Sequence, residues 1–470
     1  MMDEDIICAI ATAPGRASIG VLRISGPSLA ALARTLIGFP PKPRQAHYCD
    51  FRDAGGAALD QGIALFFPAP NSFTGEDVLE LQGHGGRIVL ESLRGRALSL
   101  GARQARPGEF SERAFLNGKI DLLRAEAIAD LIDADSRQAA RSAVRTLTGE
   151  FSRLIHGLGA HLTGLRVMIE SAIDFSDSDI EVLEPEQLRR GLEDAIGRLE
   201  RIRERSRQGA LLNEGVNVVL AGQPNAGKSS LMNALSGESA AIVTPIPGTT
   251  RDVLSRRIEI DGLPMQLTDT AGLRRTGDPV EREGVNRARG AMAGADLILL
   301  VVDASRLANP GKAISAAEIN AALGSLADEA TADEAAEDLF GRTTIVLNKI
   351  DLLGWEPKQT DVRCNGTSLP LVQLSALRGA GLDLLAEHLK DSIAYEGGED
   401  AFAARGRHLE AIGEAGKQCG MALANLRGGH PLELIAEDLR LAQAALGRIT
   451  GEVTTDDLLG EIFSRFCIGK

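Results

Sequence analysis

Residues 222–229, GQPNAGKS, decide the fold of this chain. They match the P-loop pattern G-x-x-x-x-G-K-[ST], in which backbone N–H groups cradle phosphate. A run typical of a buried strand precedes them at 216–221, and a helical pattern follows at 230–235, as this motif requires. We predict that N–H groups of residues 225–229 surround a phosphate at a helix N-terminus. Lys228 would neutralise the phosphate oxygens, and the Ser229 hydroxyl would bind Mg²⁺.

A second motif, DTAG at 269–272, lies at the end of another predicted strand. That strand, at 265–268, is expected to pair as a hairpin with 257–260 across the Asp-Gly turn at 261–262. Asp269 then stands at the end of the strand, where a carboxylate can help to hold Mg²⁺ beside a phosphate. The motif therefore predicts a second wall of the same phosphate site.

Two later motifs predict which base is bound. NKID at 348–351 follows a strand at 344–347, and the Asp351 carboxylate can accept from both N1–H and N2–H₂ of guanine, a donor pair that adenine lacks. SAL at 375–377 offers a backbone N–H, that of Ala376, to guanine O6. The order of the four motifs predicts a P-loop GTPase. The residues predicted to contact GTP are Asn225, Ala226, Gly227, Lys228, Ser229, Ser230, Thr244, Pro245, Ile246, Pro247, Gly248, Thr249, Thr250, Asp269, Thr270, Ala271, Gly272, Asn348, Lys349, Asp351, Ser375, Ala376 and Leu377.

The residue after the DTAG glycine is Leu273, where Ras-like GTPases carry a glutamine that orients the attacking water. A leucine cannot orient water, so another group must do so. Between the P-loop and DTAG lies TPIPGTTRD at 244–252. Its Thr250 can complete the Mg²⁺ shell, and the neighbouring hydroxyl and carbonyl oxygens are hard ligands that suit a monovalent cation.

The composition is that of a globular chain outside the membrane. Hydrophobic residues make up 44% and charged residues 25%, and the best apolar run, at 297–302, is too short to cross a bilayer. Five scattered cysteines form no paired framework, and the first residues are acidic, so we predict a reducing cytoplasm and no membrane association. The net charge of -14 argues against a non-specific nucleic-acid coat, although a local basic face can still bind RNA.

With 470 residues, the chain is expected to form two to four domains. Residues 1–118 carry short β-rich runs with glycine and proline, which predicts a compact α+β domain. Helical periodicity marks 119–214 and returns at 395–470, and alternating strands and helices between them predict an α/β P-loop domain at 215–394. The P-loop domain is thus predicted to be inserted into a discontinuous helical domain. Within it, the acidic segment 313–340 is expected to be a surface excursion.

These motifs, together with FCIGK at 466–470 and GEDVLELQGHGG at 75–86, resemble the tRNA-modification GTPase family called MnmE or TrmE. The resemblance covers the whole chain, and FCIGK and the embedding in helices are its diagnostic features. It implies that K⁺ is coordinated where an arginine finger would place its charge, and that Glu281 orients the attacking water. It further implies that Lys228 and Glu281 are the catalytic residues, and that the G domains dimerise across their nucleotide faces. The implied K⁺ ligands are Asn225, Thr244, Ile246 and Thr249.

The resemblance also implies that the N-terminal domain binds tetrahydrofolate at the 5-formyl or 5,10-methylene level and forms a constitutive homodimer. The implied folate ligands are Arg23, Glu80, Lys119 and Lys470. Glu80 can bind the 2-amino-4-oxo face of a pterin, and Arg23 and Lys119 can hold its anionic glutamate tail. Cys467 can act as a reactive thiol near the folate, or it can be an inert cysteine of the fold, and the sequence leaves both open.

In this family GTP hydrolysis serves addition of an aminomethyl or carboxymethylaminomethyl group to the wobble uridine of certain tRNAs. The implied partner is an FAD-dependent protein of the GidA or MnmG type, which forms a heterotetramer with the homodimer. Two alternatives remain. One is a regulatory GTPase that reports its nucleotide state to ribosomal RNA, although the chain has no strongly basic segment. The other is a folate enzyme that the G domain merely regulates.

Overall fold

The computed structural model describes residues 5–174, 184–238, 255–269, 290–306, 340–364, 367–398, 400–452, 456–464 and 466–469. The chain divides into two compact units. The first contains Met1–Asp133, Ala143–Ile202 and Glu410–Lys470, and the second contains Ala134–Ser142 and Arg203–Leu409. The second unit is therefore inserted into the first along the sequence, which confirms the predicted multidomain arrangement. The finer division into four segments stays a prediction.

A six-stranded sheet forms the N-terminal part of the first unit, in the order β3-β4-β5-β2-β1-β6. Its strands are β1 (Ile6–Ile10), β2 (Ala17–Gly26), β3 (His47–Arg52), β4 (Ala58–Phe67), β5 (Asp77–Gly85) and β6 (Ala102–Gln104), and its helices are α1 (Ala30–Ile37) and α2 (Arg87–Ser99). Leu22, Ile24, Leu79 and Leu81 face the core that these helices cover. Because side chains alternate along a strand, the residues between them face the other side of the sheet. The predicted α+β domain is confirmed.

Helices make up the rest of the first unit and join it to the second. They are α3 (Glu109–Leu116), α4 (Leu122–Asp133), α5 (Arg137–Leu147), α6 (Glu150–Asp174) and α7 (Pro185–Glu214). The amphipathic spacing in the sequence predicted the long helices, because their apolar positions form one buried stripe. In α6 that stripe includes Ile155, Leu158, Leu162 and Leu165.

The second unit is built on a seven-stranded sheet in the order β12-β13-β11-β10-β7-β9-β8. Its elements are β7 (Val216–Ala221), α8 (Lys228–Glu238), β8 (Ser255–Ile260), β9 (Leu263–Asp269), β10 (Leu297–Asp303), β11 (Thr343–Asn348), β12 (Lys358–Cys364), β13 (Thr367–Gln373) and α9 (Leu382–Ser392). Strands β9, β7, β10, β11 and β13 run parallel, so their carboxyl ends lie at one edge of the sheet. The predicted β8–β9 hairpin is confirmed, whereas β12, an antiparallel edge strand, was not predicted.

After the second unit the chain returns to the first through α10 (Gly406–Arg427), α11 (Leu432–Thr450) and α12 (Asp456–Ser464). Helix α11 packs along α6. Gln443 of α11 accepts a hydrogen bond from Arg166 of α6 at 2.6 Å and donates one to Thr163 at 2.6 Å. The predicted partnership between the helices on either side of the insertion is therefore confirmed. Among the helices of the described residues, none combines the length and the apolarity that a membrane span needs.

A buried ion-pair cluster ties α3 to the start of the chain and to the sheet. The Arg113 side chain, only 8% exposed, lies 2.6 Å from Asp5, 3.1 Å from Glu76 and 3.3 Å from Glu109. Arg103 also pairs with Glu109, whose side chain is 2% exposed. Burial opposes ionisation of Glu109, but hydrogen bonds from Arg103 and from the Arg106 N–H outweigh it and lower the pKa of Glu109. The pKa of Asp5 is lowered by the same balance, with Arg103 and Arg113 as donors.

Substituting Arg113 with Met should destabilise the first unit by about 3 kcal/mol, because Glu76 and Asp5 lose a buried partner. Arg440→Met, at the exposed Arg440–Glu437 pair of α11, should cost less than about 1 kcal/mol. A lowered folded-state pKa means that the stabilisation is present above the unfolded-state value of about 4 and is lost as the pH falls through the folded value. Calorimetry of both variants between pH 3 and 8 measures this. A melting temperature of Arg113→Met equal to that of Arg440→Met would contradict the argument.

Candidate functional site

The P-loop adopts backbone conformations that explain its sequence. Gly222 has φ 130° and Gly227 has φ 99°, in the left-handed region that favours glycine. A Cβ on Gly222 would lie 2.2 Å from the Val301 carbonyl oxygen, and one on Gly227 would lie 2.1 Å from Asn348 Nδ2. Asn225, at φ 63°, is one of the few non-glycine residue types that tolerate this region. The loop is therefore held against two neighbouring strand ends, and only glycine fits at both contacts.

Asn348 connects the three motif loops. Its side chain is buried, and Nδ2 donates to the Ala226 carbonyl of the P-loop at 3.0 Å. Its Oδ1 accepts from the Lys349 N–H at 2.8 Å and from the Ala376 N–H at 3.0 Å. The motif alone indicated that Asn348 contacts the nucleotide. The structure shows that it also fixes the spacing between the phosphate loop and the base loops.

The residues predicted to bind the base lie together in one loop region. The Asp351 side chain is 10% exposed, and its Oδ1 accepts from the Ser375 hydroxyl at 2.6 Å, so the carboxylate is held at one edge of the loop. The Ala376 N–H, predicted to serve guanine O6, donates to Asn348 instead. The next N–H along the loop, that of Leu377, has no acceptor among the described residues, and the Leu377 side chain is exposed. Leu377 is therefore the better candidate donor for O6.

Asp303 is a site residue that the sequence analysis missed. It ends β10, and its carboxylate lies 2.6 Å from Lys349 Nζ, which also donates to the Asn225 carbonyl at 2.8 Å. Burial opposes ionisation of Asp303, but hydrogen bonds from Lys349 and Ser305 outweigh it and lower the pKa of the carboxyl. The available signal was an acidic residue at the end of a strongly apolar strand, because other strand ends of the same sheet carry motifs. The ion pair between Asp303 and Lys349 holds the Lys349 side chain against the P-loop.

Lys228, Ser229 and Asp269 lie where the phosphate end of the site is expected. Lys228 is buried, and its Nζ donates to the carbonyls of Gly222 at 2.8 Å and Gln223 at 3.0 Å, so the ammonium lies within the curve of the P-loop. The Ser229 hydroxyl donates to Asp269 Oδ2 at 3.2 Å. A hydroxyl and a buried carboxylate that meet beside a phosphate loop form the oxygen ligand set that Mg²⁺ prefers. These residues fit the predicted Mg²⁺ site.

Several predicted site residues lie outside the described residues. They are Thr244, Pro245, Ile246, Pro247, Gly248, Thr249 and Thr250 of the segment after α8, Thr270, Ala271, Gly272 and Glu281, and Lys470. Most of the acidic segment 313–340 also lies outside them. Of the implied K⁺ ligands, only Asn225 is described, on the exposed side of the P-loop.

In the first unit, two of the implied folate ligands form a cross-strand ion pair. Arg23 of β2 and Glu80 of β5 are register partners, and the Arg23 guanidinium lies 2.9 Å from Glu80 Oε1. They face away from the helix-covered core, and Arg23 lies 5.9 Å from the centre of the Phe110 ring. Gln82, two residues along the same strand face, donates to Glu80 at 3.3 Å. The sheet therefore presents a fixed, half-buried carboxylate and guanidinium side by side.

The C-terminal motif reaches this pair. Ile468 bridges Pro107, and the Gly469 carbonyl accepts from Arg23 at 3.4 Å. Gly469 has φ 102°, and a Cβ there would lie 2.7 Å from the Ile10 carbonyl oxygen, so this glycine allows the close approach. Lys119 makes a different contact, in which its Nζ donates to the Pro70 carbonyl at 2.9 Å. The structure thus places Arg23, Glu80 and the C-terminal tail together, with Lys119 in separate contact.

Cys467 is the exposed thiol of this tail and should be the fastest to react among the four cysteines whose side chains are described. Burial raises the pKa of Cys8 to about 11 and that of Cys419 to about 12, and it also raises the pKa of Cys49. Because the thiolate is the nucleophile, these three should alkylate slowly in the folded protein. Brief iodoacetamide treatment at pH 8 followed by peptide mass spectrometry measures the order. Labelling of Cys8 or Cys419 before Cys467 would contradict it.

Fold and site together define a class. The sheet is parallel, and its strand ends carry a P-loop, an aspartate beside the P-loop serine, and a base loop with asparagine, lysine and aspartate. These features together define a P-loop GTPase. Comparisons with known proteins give the family. The family model described as "MnmE helical domain" matches residues 122–467, and that described as "GTP-binding protein TrmE N-terminus" matches residues 6–119. The chain belongs to the MnmE/TrmE family.

Relatives that match over their full length are also named MnmE. The chain is 52% identical to the tRNA modification GTPase MnmE of Sodalis glossinidius over 474 residues, which covers 100% of both chains. It is 51% identical to that of Stutzerimonas stutzeri and 50% identical to that of Coxiella burnetii, with 99% of each chain covered. The similarity therefore includes the N-terminal sheet, the helices and the GTPase unit alike.

Proposed function

We propose that this chain hydrolyses GTP and thereby acts in the modification of tRNA. The observation that carries the proposal is the Asn348 junction, which joins the phosphate loop to a base loop whose Asp351 carboxylate suits guanine. Full-length relatives that are named tRNA modification GTPases support the second half. The modification we propose is addition of an aminomethyl or carboxymethylaminomethyl group to the wobble uridine of certain tRNAs.

At the phosphate end, the chain's own residues perform three tasks. Backbone N–H groups at the start of α8 bind the β-phosphate, and the Lys228 ammonium neutralises oxygens of the β- and γ-phosphates. Ser229, Asp269 and Thr250 would together hold Mg²⁺. When bound there, Mg²⁺ neutralises charge that develops between the β- and γ-phosphates. These residues suffice to bind GTP. Phosphoryl transfer also requires that the attacking water is positioned, and none of these residues orients it.

We assign the orientation of the attacking water to Glu281. We assign to K⁺ the positive charge that an arginine finger supplies in other GTPases. Leu273 stands where a glutamine would orient water, so that task needs another residue. Asn225, together with Thr244, Ile246 and Thr249, would hold K⁺, which supplies positive charge beside the γ-phosphate. The exposed position of Asn225 beside the P-loop supports this part of the proposal. Closure of two G domains across their nucleotide faces would complete the site.

The first unit would supply the one-carbon chemistry and the dimer. The paired Glu80 and Arg23 can bind a pterin that presents a donor face and a carbonyl, and the C-terminal Lys470 would close the site from the tail that already reaches Arg23. Lys119 would hold the anionic end of the tetrahydrofolate derivative. The proposed partners are a second copy of this chain, an FAD-dependent GidA/MnmG-type protein in a heterotetramer, and tRNA, all in the cytoplasm.

GTP hydrolysis in K⁺ and in Na⁺ at matched ionic strength tests the catalytic part. We expect K⁺ to raise the rate by about 10²-fold, the size of one well-placed electrostatic group. Glu281→Ala should lower the K⁺-stimulated rate by about 10²-fold or more, because it removes the group that orients water. Glu387→Ala, an exposed glutamate of α9, is the matched control and should hydrolyse GTP normally. Equal rates in the two salts would overturn the cation mechanism, and normal hydrolysis by Glu281→Ala would overturn the role of Glu281.

A further inference from the structure

A cavity of about 380 Å³ opens in the first unit where the start of α4, the start of α6 and the end of α11 meet. Its volume lies within the range of about 300–1,000 Å³ that is usual for small-molecule sites. The ionisable residues that line it are Lys119, Asp121, Arg124, Arg153, His156 and Glu452. Lys119 belongs both to this cavity and to the proposed folate ligands, so the cavity lies beside the place assigned to the anionic end of the folate.

The charges around the cavity do not cancel. Asp121 is engaged by Arg124, whose backbone N–H donates to it at 2.9 Å and whose Nε lies 3.7 Å away. Lys119 Nζ donates to a backbone carbonyl, and Arg153, on an exposed face of α6, has no acidic partner among the described residues. The remaining carboxylate is that of Glu452, 3.3 Å from His156. Lys119, Arg124 and Arg153 against Asp121 and Glu452 leave a net charge of +1 on the lining, which favours an anion.

The backbone at the start of α6 adds to this positive character. Arg153 lies in the first turn of α6, where backbone N–H groups favour negative charge. Ser152, beside it, is only 2% exposed, so an anion in the cavity would be bound by the exposed Arg153 side chain and not by the serine hydroxyl.

We propose that this cavity binds the γ-linked glutamate extension of a polyglutamylated folate. The inference rests on the proposed folate function and names the form of the ligand. Each added γ-glutamyl residue brings one further α-carboxylate, and carboxylates bind to guanidinium and ammonium groups through charge-assisted hydrogen bonds. With its first glutamate at Lys119, the ligand would place the following carboxylates beside Arg153 at the start of α6. The site selects the polyglutamate over the monoglutamate.

Calorimetric titration of the full-length protein with 5-formyltetrahydrofolate monoglutamate and triglutamate tests this directly. We expect the triglutamate to bind roughly tenfold more tightly, about the contribution of one charge-assisted contact. Arg153→Gln should abolish most of that preference and leave monoglutamate binding unchanged. Arg440→Gln, at an exposed Arg440–Glu437 pair on α11, is the matched control and should retain it.

The outcomes separate the two proposals. If neither folate binds, the proposed folate function is wrong and the inference falls with it. If both bind with equal affinity, folate binding stands and the polyglutamate site is wrong. If Arg153→Gln keeps the triglutamate preference but weakens binding of tRNA, the cavity serves nucleic-acid phosphates and the inference is likewise overturned.

Discussion

Asp351→Asn should lower the affinity for GTP by about 10²–10⁴-fold, because guanine loses two hydrogen bonds to a charged acceptor, each worth roughly 1.5–3 kcal/mol. The Ser375 hydroxyl, which fixes Asp351 Oδ1 at 2.6 Å, can also donate to an amide oxygen, so the loop should keep its conformation. The loss should therefore appear in base recognition and leave the phosphate loop, on the other side of Asn348, unaffected.

Xanthosine triphosphate makes this prediction specific. Xanthine carries a carbonyl where guanine carries its 2-amino group, so the asparagine amide can donate to that oxygen while its own oxygen accepts from the ring N–H. Fluorescent GTP and xanthosine triphosphate analogues should show an inversion of preference in Asp351→Asn. Asp383→Asn, at an exposed position of α9, should bind both as the wild type does. Equal weakening of both nucleotides would mean that Asp351 supports the loop and does not read the base.

The sequence predicted the GTPase unit well, because its motifs specify chemistry at strand ends and a parallel sheet brings those ends to one edge. It did not predict how the motifs contact one another. Gly227 and Asn348 are 121 positions apart, and only the fold shows that the first must be glycine because the second packs against it. The same holds for Asp303, which becomes a site residue only because Lys349 reaches it. Motif spacing records local geometry, whereas these contacts depend on the order of strands in the sheet.

In the first unit, residue patterns alone predicted fewer of the candidate site residues than they did in the GTPase unit. Arg23 resembles an ordinary surface charge in the sequence, and it was the family resemblance that marked both Arg23 and Glu80. Their pairing follows from the antiparallel register of β2 and β5, which no local pattern determines. The unpaired cations at Lys119 and Arg153 belong to a loop and a helix that are distant in sequence, so their common cavity was likewise not predictable.

Lys228→Met should lower GTP hydrolysis by about 10²–10³-fold, since it removes one preorganised charge from the phosphates that carry the reaction. Methionine retains much of the apolar length of the lysine stem, which matters because Lys228 is buried. The Gly222 and Gln223 carbonyls lose their donor, so some loss of stability is expected as well. Circular dichroism melting distinguishes that loss from the catalytic effect.

Lys349→Met is the informative comparison, because this lysine also donates to a P-loop carbonyl, that of Asn225, but lies on the base side and pairs with Asp303. Its loss should weaken GDP and GTP to a similar degree and leave the rate at saturating GTP near that of the wild type. Single-turnover hydrolysis and GDP affinity, measured on both variants, separate the two roles. If Lys228→Met and Lys349→Met gave the same loss at saturating GTP, Lys228 would act by shaping the loop. If only Lys228→Met lowers the rate at saturating GTP, the Lys228 ammonium acts on the reacting phosphates.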